Sequence, residues 1–158
     1  MSLSIAQVHA PDDDIRALLD ELNAALAQNY ASEQRHGLAL DALFRPDVSF
    51  FVARQGAGAV GCAGVAMLDD CAEVKRMYVR PQARGAGVAQ ALLRALEARA
   101  RSAGRLLLRL ETGVFQHRAI ALYEREGFSR CPAFGPYRSM SANAIELSVF
   151  MEKRLGEN

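Results

Sequence analysis

Cysteine is scarce in this sequence: 158 residues contain three, Cys62, Cys71 and Cys131. The number is odd and no Cys-x-x-Cys spacing occurs, so neither a disulfide framework nor a zinc or other metal site is indicated. The three suit small buried hydrophobes in a reduced, cytoplasmic setting. Excess charge of one sign is also lacking. Lys plus Arg total 19 against 18 for Asp plus Glu, a formal net charge of +1, where a nucleic-acid-binding domain would be clearly basic. No apolar run approaches the ~18–20 residues that span a bilayer, and no basic-then-apolar leader opens the chain. Nucleic acid and membrane are therefore not expected as partners. Linkers, low-complexity segments and internal repeats are missing too. Residues 1–158 fit one domain, long enough to bury a core without staples. Apolar content of 51% and charged content of 23% are those of an ordinary soluble protein.

The pattern that is present alternates strands and helices. Residues 3–9 read as an opening strand. Pro11 and the acids Asp12, Asp13 and Asp14 start a helix carrying Ile15, Leu18, Leu19, Leu22 and Leu26 at helical spacing. A second helix is expected over residues 32–43. Residues 48–54 and 60–68 are β-rich runs joined by Gln55-Gly56-Ala57-Gly58, a hairpin signal. A third run covers 72–79, and Pro81 stops it. From Val88 the pattern turns helical, with Val88, Leu92, Ala95, Leu96 and Ala103 on one face and Arg94, Glu97 and Arg101 on the other; Gly104 ends it. Arg99 breaks the apolar face where its stem can snorkel to water. Residues 105–111 form a short strand whose apolar run, 106–108, suits burial on both faces. A compact helix over 116–126 ends at Gly127, a loop with proline and glycine covers 130–141, and residues 144–151 close as a strand. There is room for a further short strand near Phe128. The order β-α-α-β-β-β-α-β-α-β predicts an α/β (α+β) fold, a mixed sheet with helices on both faces.

The segment richest in chemistry is Arg84-Gly85-Ala86-Gly87-Val88-Ala89. A glycine-rich turn that leaves a strand and opens a helix leaves backbone N–H groups unpaired, and the helix dipole adds partial positive charge there. Such a turn holds an anion, most often a phosphate. Glycine lets the backbone approach a ligand closely and take positive φ, and Arg84 adds a forked cationic donor. Lys75, Arg76 and Arg80 add to the local charge available for a small polyanion.

That order of elements, with the turn between the fourth strand and the third helix, resembles the GNAT superfamily of acyl-CoA-dependent N-acyltransferases. The turn fits the family's (Gln/Arg)-x-x-Gly-x-(Gly/Ala) loop, and Met77-Tyr78-Val79-Arg80-Pro81 matches the strand end before it. Residues 116–128, Gln116-His117-Arg118-Ala119-Ile120-Ala121-Leu122-Tyr123-Glu124-Arg125-Glu126-Gly127-Phe128, look like the second signature, Asn-x-x-Ala-x-x-Leu-Tyr-x-x-x-Gly-Phe, with Gln116 in place of Asn. The resemblance covers essentially the whole chain, and two signatures in the right order, separated by a strand, are more specific than either alone.

It implies a mostly antiparallel sheet splayed between strands 4 and 5, and acetyl-CoA as co-substrate. Arg84, Gly85, Ala86, Gly87, Val88 and Ala89 would hold the pyrophosphate. Met77 and Val79 would offer a free strand edge to the pantetheine arm, helped by a β-bulge near Met77-Tyr78. Gln116, Ala119 and Tyr123 would meet the cofactor from the second signature. A backbone N–H near residues 77–79 would serve the oxyanion, and Tyr123 would protonate the leaving thiolate. An alkylammonium must lose a proton before it attacks; Glu111, and after it Glu73, would take that proton directly or through water, or bind the acceptor ammonium. Tyr30, Glu111, Tyr137 and Arg138 are candidate acceptor contacts, as are Glu33 and Arg35. His117 reads as a surface residue, and a covalent route through Cys71 or Cys131 has no supporting pairing.

The function implied is acetyl transfer to a primary amine of a small-molecule or amino-acid-like acceptor. The alternative is a non-catalytic acyl-CoA-binding sensor or module. A nucleotide-binding module is weaker, because Gly-x-x-x-x-Gly-Lys is absent. Histone-type acetylation lacks an acidic groove signal. Homodimers are common in the superfamily, and the closing strand over 144–151 is the candidate edge.

Overall fold

The computed structural model describes residues 2–156 except 32, 33 and 36. Strand β1, Leu3–Val8, leads into helix α1, Asp13–Ala27. Asp12 caps α1 by accepting from the Ile15 amide at 2.9 Å, and Asp13 and Asp14 complement the dipole in the first turn. Ile15, Leu18 and Leu19 are buried, while Leu22 and Leu26 on the same stripe are only partly covered.

The helix expected over 32–43 does not form as such. Ser32, Glu33 and His36 lie outside the described residues; of the rest, Gln34 is in a 3₁₀ turn, residues 37–39 are irregular, and Leu40–Phe44 forms a 3₁₀ helix. Two local causes stand out. Gly37 lies so close to the Arg76 guanidinium that a Cβ there would collide with it, and glycine is a poor helix former. Arg45 is extended (φ −69°, ψ 155°), as the residue before a proline prefers to be.

Strands β2 (Val48–Gln55), β3 (Gly58–Met67) and β4 (Ala72–Val79) form an antiparallel meander with β1. Gly61 keeps the β3 surface flat; a Cβ there would meet the Tyr78 carbonyl at 2.8 Å and the side chain of Val88 at 3.2 Å. Helix α2, Val88–Ser102, crosses that surface. Strand β5 (Leu107–Gly113), helix α3 (His117–Arg125), the two-residue β6 (Ser129–Arg130), helix α4 (Ala142–Glu146) and β7 (Ser148–Arg154) complete the chain. The seven-stranded sheet runs β1-β2-β3-β4-β5-β7-β6. Among the described residues only β4 and β5 pair in parallel. The fold is thus mixed α/β with a mostly antiparallel sheet.

Helices cover both faces. One apolar core joins α2 and α3 to Val65, Val74, Leu108, Leu110 and Met151. On the opposite face α1 packs over Phe50, Val52 and Cys62, and the 131–147 segment lays Phe134 and Tyr137 on Phe150. Two strands are shifted from the sequence pattern. β5 starts at Leu107 because Arg105 is tied back to the carbonyls of Leu68 and Ala103, and only Leu108 of the expected run is fully buried. β7 starts at Ser148 because Ser141 caps α4, accepting from the Ala144 amide at 3.2 Å. β7 is not the sheet edge either: it lies between β5 and β6. Glu97 departs from its expected solvent face. It is 4% exposed, held by Arg94 at 3.1 Å and Lys153 at 3.0 Å, while Arg94 also reaches buried Glu126 at 2.8 Å. Among the described residues no helix is long and apolar enough to cross a membrane.

Candidate active site

Parallel pairing between β4 and β5 covers only Ala72 with Leu108 and Glu73 with Arg109. Beyond Glu73 the strands part, and β4 loses its neighbour on that side. The cause is visible in β4 itself. Between Gly64↔Lys75 and Cys62↔Tyr78 the register slips, so that one extra residue bulges from β4 around Arg76 and Met77. Arg76 takes φ 55°, the only positive φ of a non-glycine residue among those described. The parting strands leave a cleft of about 140 Å³ that reaches from one face of the sheet to the other. Leu22, Leu26 and Tyr30 border it from the α1 side, residues 73–77 and 110–113 from the strands, and Gln116, Ala119 and Tyr123 from α3.

The glycine turn stands at the start of α2, where β4 ends. Gly85 and Gly87 have φ of 83° and 80°, values that an L-residue adopts only at a cost. A Cβ on Gly85 would meet nothing within 4 Å, and on Gly87 only the Gln90 Oε1 at 3.9 Å. The glycines therefore answer to backbone conformation, with open space in front of them. No backbone N–H from Gly85 to Ala89 has a hydrogen-bond partner among the described residues; the helical ladder begins with the Ala91 amide donating to the Gly87 carbonyl at 3.0 Å. Arg84 is exposed, and its Nε donates to the Val79 carbonyl at 3.0 Å. Val88 is buried in the core and Ala89 half-buried. An array of free amides at a helix start fits the phosphates of a nucleotide-bearing cofactor.

Titratable groups converge in the cleft. Tyr123 is buried from α3, edge-on to Phe128 at 5.5 Å. Its hydroxyl makes no hydrogen bond to a described residue. Burial, and after it the Glu111 charge, push its pKa far above the ordinary 10.0, so that the phenol stays protonated well into alkaline pH. Glu111, half-buried on β5, accepts from the Ser148 hydroxyl at 2.7 Å. Burial raises Tyr30 and Tyr137 as well; in Tyr137 the Glu73 charge and hydrogen bond come next, and the Glu111 charge adds to both. Tyr30 accepts from the Phe115 amide at 2.9 Å, and it lies over Gly113, where a Cβ would collide with its hydroxyl. Glu73, 3% exposed, is engaged twice: the Tyr137 hydroxyl donates to it at 2.6 Å and Lys75 pairs with it at 3.0 Å. Lys75 also donates to the Tyr137 hydroxyl at 2.8 Å.

Tyr123, Glu111, Glu73, Met77, Gln116, Ala119, Tyr30, Tyr137 and Arg35 thus share one cleft. Val79 packs on the α2–α3 core. Arg138 and His117 are exposed and do not border it, and Glu33 lies outside the described residues. The sequence marks Lys75 and Arg76 only as local positive charge; the structure makes both cleft residues. Their placement follows from the bulge, which no local pattern announces. The cysteines offer no nucleophile: burial raises all three thiols, Cys62 to about 12 and Cys131 to about 11. Among the described residues no group of His, Cys, Asp and Glu could hold a metal ion.

Comparison with known proteins agrees with this architecture. The model of the Acetyltransferase (GNAT) family matches residues 15–128. An IAA acetyltransferase of Azospirillum brasilense is 41% identical over 156 residues, covering 98% of this chain and 99% of its own. A proposed acyl-CoA N-acyltransferase of Klebsiella pneumoniae superposes with a TM-score of 0.78 at 37% identity, over 98% of both chains. The PaiA N-acetyltransferase of Thermoplasma acidophilum, solved in complex with coenzyme A, has a TM-score of 0.71 over 98% of this chain and 99% of its own. At 18% identity that last likeness is one of fold. The chain belongs to the GNAT family of acetyltransferases.

Proposed function

We propose that residues 1–158 act as one N-acetyltransferase domain that moves an acetyl group from acetyl-CoA to a primary amine of a small-molecule or amino-acid-like acceptor, by direct attack in a ternary complex. The observation that carries this is the splayed cleft, which Tyr123 and Glu111 both line, together with the turn of free amides that follows the parted strand β4. When bound, acetyl-CoA supplies an activated thioester carbonyl. The residues of the chain do the rest. Amides of residues 85–89, with Arg84 beside them, hold the pyrophosphate. The edge of β4 at Met77 and Val79, released from β5, pairs with the pantetheine arm, and Gln116 and Ala119 flank it. A β4 amide freed by the bulge donates to the oxyanion. Tyr123, kept protonated by burial, donates to the departing thiolate. Glu111 takes the proton of the acceptor ammonium, directly or through water. Glu73 positions Tyr137 and Lys75 at the cleft wall, since both donors already occupy its carboxylate.

The test is thiol release from acetyl-CoA over a panel of amino acids, polyamines, aryl amines, aminoglycosides and short peptides, with the IAA of the Azospirillum relative's name added. Turnover is expected with one acceptor class, and Tyr123→Phe is expected to lower kcat about 10²–10⁴-fold while acetyl-CoA still raises the melting temperature. Full turnover in Tyr123→Phe would remove the proton-donor role. Loss of the thermal shift in the wild-type protein would remove the cofactor assignment.

A further inference from the structure

Two arginines in the same cleft take no part in the chemistry above. Arg76 sits on the β4 bulge and Arg35 on the segment after α1; both border the cleft, and both also border a second groove of about 480 Å³ on the α1 side. Neither has an ion-pair partner among the described residues. The Arg76 Nη2 donates to the Asn23 side chain at 2.6 Å, and the Arg35 Nη1 reaches the Asn23 carbonyl at 3.5 Å. The Nε of each is buried without a hydrogen-bond partner among the described residues. Buried donors of this kind are normally satisfied, and two guanidinium groups close enough to repel each other are costly without an anion. Burial, and with it the Arg35 charge, weigh against the charged form of Arg76. Arg76 also holds a left-handed backbone conformation, and Gly37 is the residue that leaves room for its guanidinium. Unfavourable backbone, unpaired donors and a glycine-made space converge on one spot, as they do where a ligand completes a site.

Resting on the acetyltransferase reading, we infer that Arg35 and Arg76 bind the carboxylate of the acceptor, so that the substrate class is an amine that also carries a carboxylate group. A planar, forked guanidinium matches a carboxylate with two parallel hydrogen bonds. Within one cleft the acceptor's ammonium then faces Glu111 while its carboxylate faces the arginines, and Leu22, Leu26 and Met77 line the space for its apolar portion. The cofactor phosphates are not the anion meant. Arg76 is tied to Asn23 of α1, on the face opposite α2, whose N-terminal turn offers the free amides.

The test compares kcat/KM for amino acids and for the same amines as carboxamides, with wild-type protein, Arg35→Gln and Arg76→Gln. Wild-type protein is expected to prefer the acids. Each substitution is expected to raise the KM of the acid about ten- to hundredfold, the loss expected for a hydrogen bond to a charged group, and to erase the preference, with the thermal shift by acetyl-CoA kept. Arg35 lies outside regular structure, so Arg35→Gln answers even if Arg76→Gln does not fold. Equal or better use of the amides, or an unchanged acid preference in Arg35→Gln, overturns the proposal. So does the absence of turnover with either series while acetyl-CoA still stabilises the protein, an outcome that leaves the cofactor assignment standing. If acetyl-CoA does not stabilise the wild-type protein, the underlying reading falls instead.

Discussion

The Tyr137 hydroxyl stands between an ammonium and a carboxylate, accepting from Lys75 at 2.8 Å and donating to Glu73 at 2.6 Å. A carboxylate as buried as Glu73 needs its donors, because removing one leaves part of the desolvation cost of the charge uncompensated. Tyr137→Phe keeps the ring on Phe134 and Phe150 and removes that bridge. It is expected to cost about 1–3 kcal/mol in urea denaturation. Tyr123→Phe is expected to cost less, since the Tyr123 hydroxyl makes no bond to a described residue. Equal stability of Tyr137→Phe and wild-type protein would show that Lys75 alone satisfies Glu73. At this scale the resemblance assigns Tyr123, Glu111 and Tyr137 to one site, and all three line one cleft; the bonds that Tyr137 makes to Lys75 and Glu73 are not legible in the sequence. Which side chains meet across the cleft depends on strand register, which residue type does not encode. Glu97 was misread for a related reason. Its spacing from Arg94 and Arg101 is that of a solvated helix face, while the partner that shows its burial, Lys153, comes from β7 and 56 positions away.

Elements were legible where their signals are local. The β2–β3 hairpin closes at Gln55↔Gly58 with Gly56 at φ 61°, and α2 and α3 end at Gly104 and Gly127, both at positive φ. The 37–39 segment and the start of β7 were not legible, because Gly37 and Ser141 act through what they touch or cap in the fold. The turn before α2 allows a test of an element against its neighbour. Gly87→Ala and Gly127→Ala both place a Cβ on a left-handed residue, at φ 80° and 95°, and each is expected to cost about 1–2 kcal/mol. Gly127 closes α3 against Lys153, away from the free amides. Gly87→Ala should therefore also raise the KM for acetyl-CoA several-fold, because relieving the strain turns amides out of the array, whereas Gly127→Ala should leave that KM as it is. Equal KM values in the two variants would separate the turn from cofactor binding.

Across the whole molecule, all four tyrosines, Tyr30, Tyr78, Tyr123 and Tyr137, have pKa values raised above 10.0, each chiefly by burial. An acid whose folded pKa is raised keeps its proton in the native state after the unfolded chain has lost it. The native state then binds more protons, and stability falls with rising pH. The contribution is fully present below the unfolded value of 10.0 and is lost as pH climbs from there toward the folded values. Glu21 acts in the opposite direction at the other end of the scale. Its hydrogen bonds from Arg80, with the Arg80 charge, hold its pKa below 4.5. That pair, which ties the end of β4 to α1, stabilises above pH 4.5 and is lost as pH falls through the lowered value. It is partly exposed, so its share is small. The expected profile is a plateau from about pH 5 to 9, a shallow acid shoulder and a steep alkaline fall, followed by melting temperature from pH 4 to 12. Phenolate absorbance recorded in the same alkaline titration should rise with unfolding and not before it. Ionisation of all four tyrosines while the fold is intact would mean that the cleft admits water freely, and with it that Tyr123 is not held protonated by its surroundings.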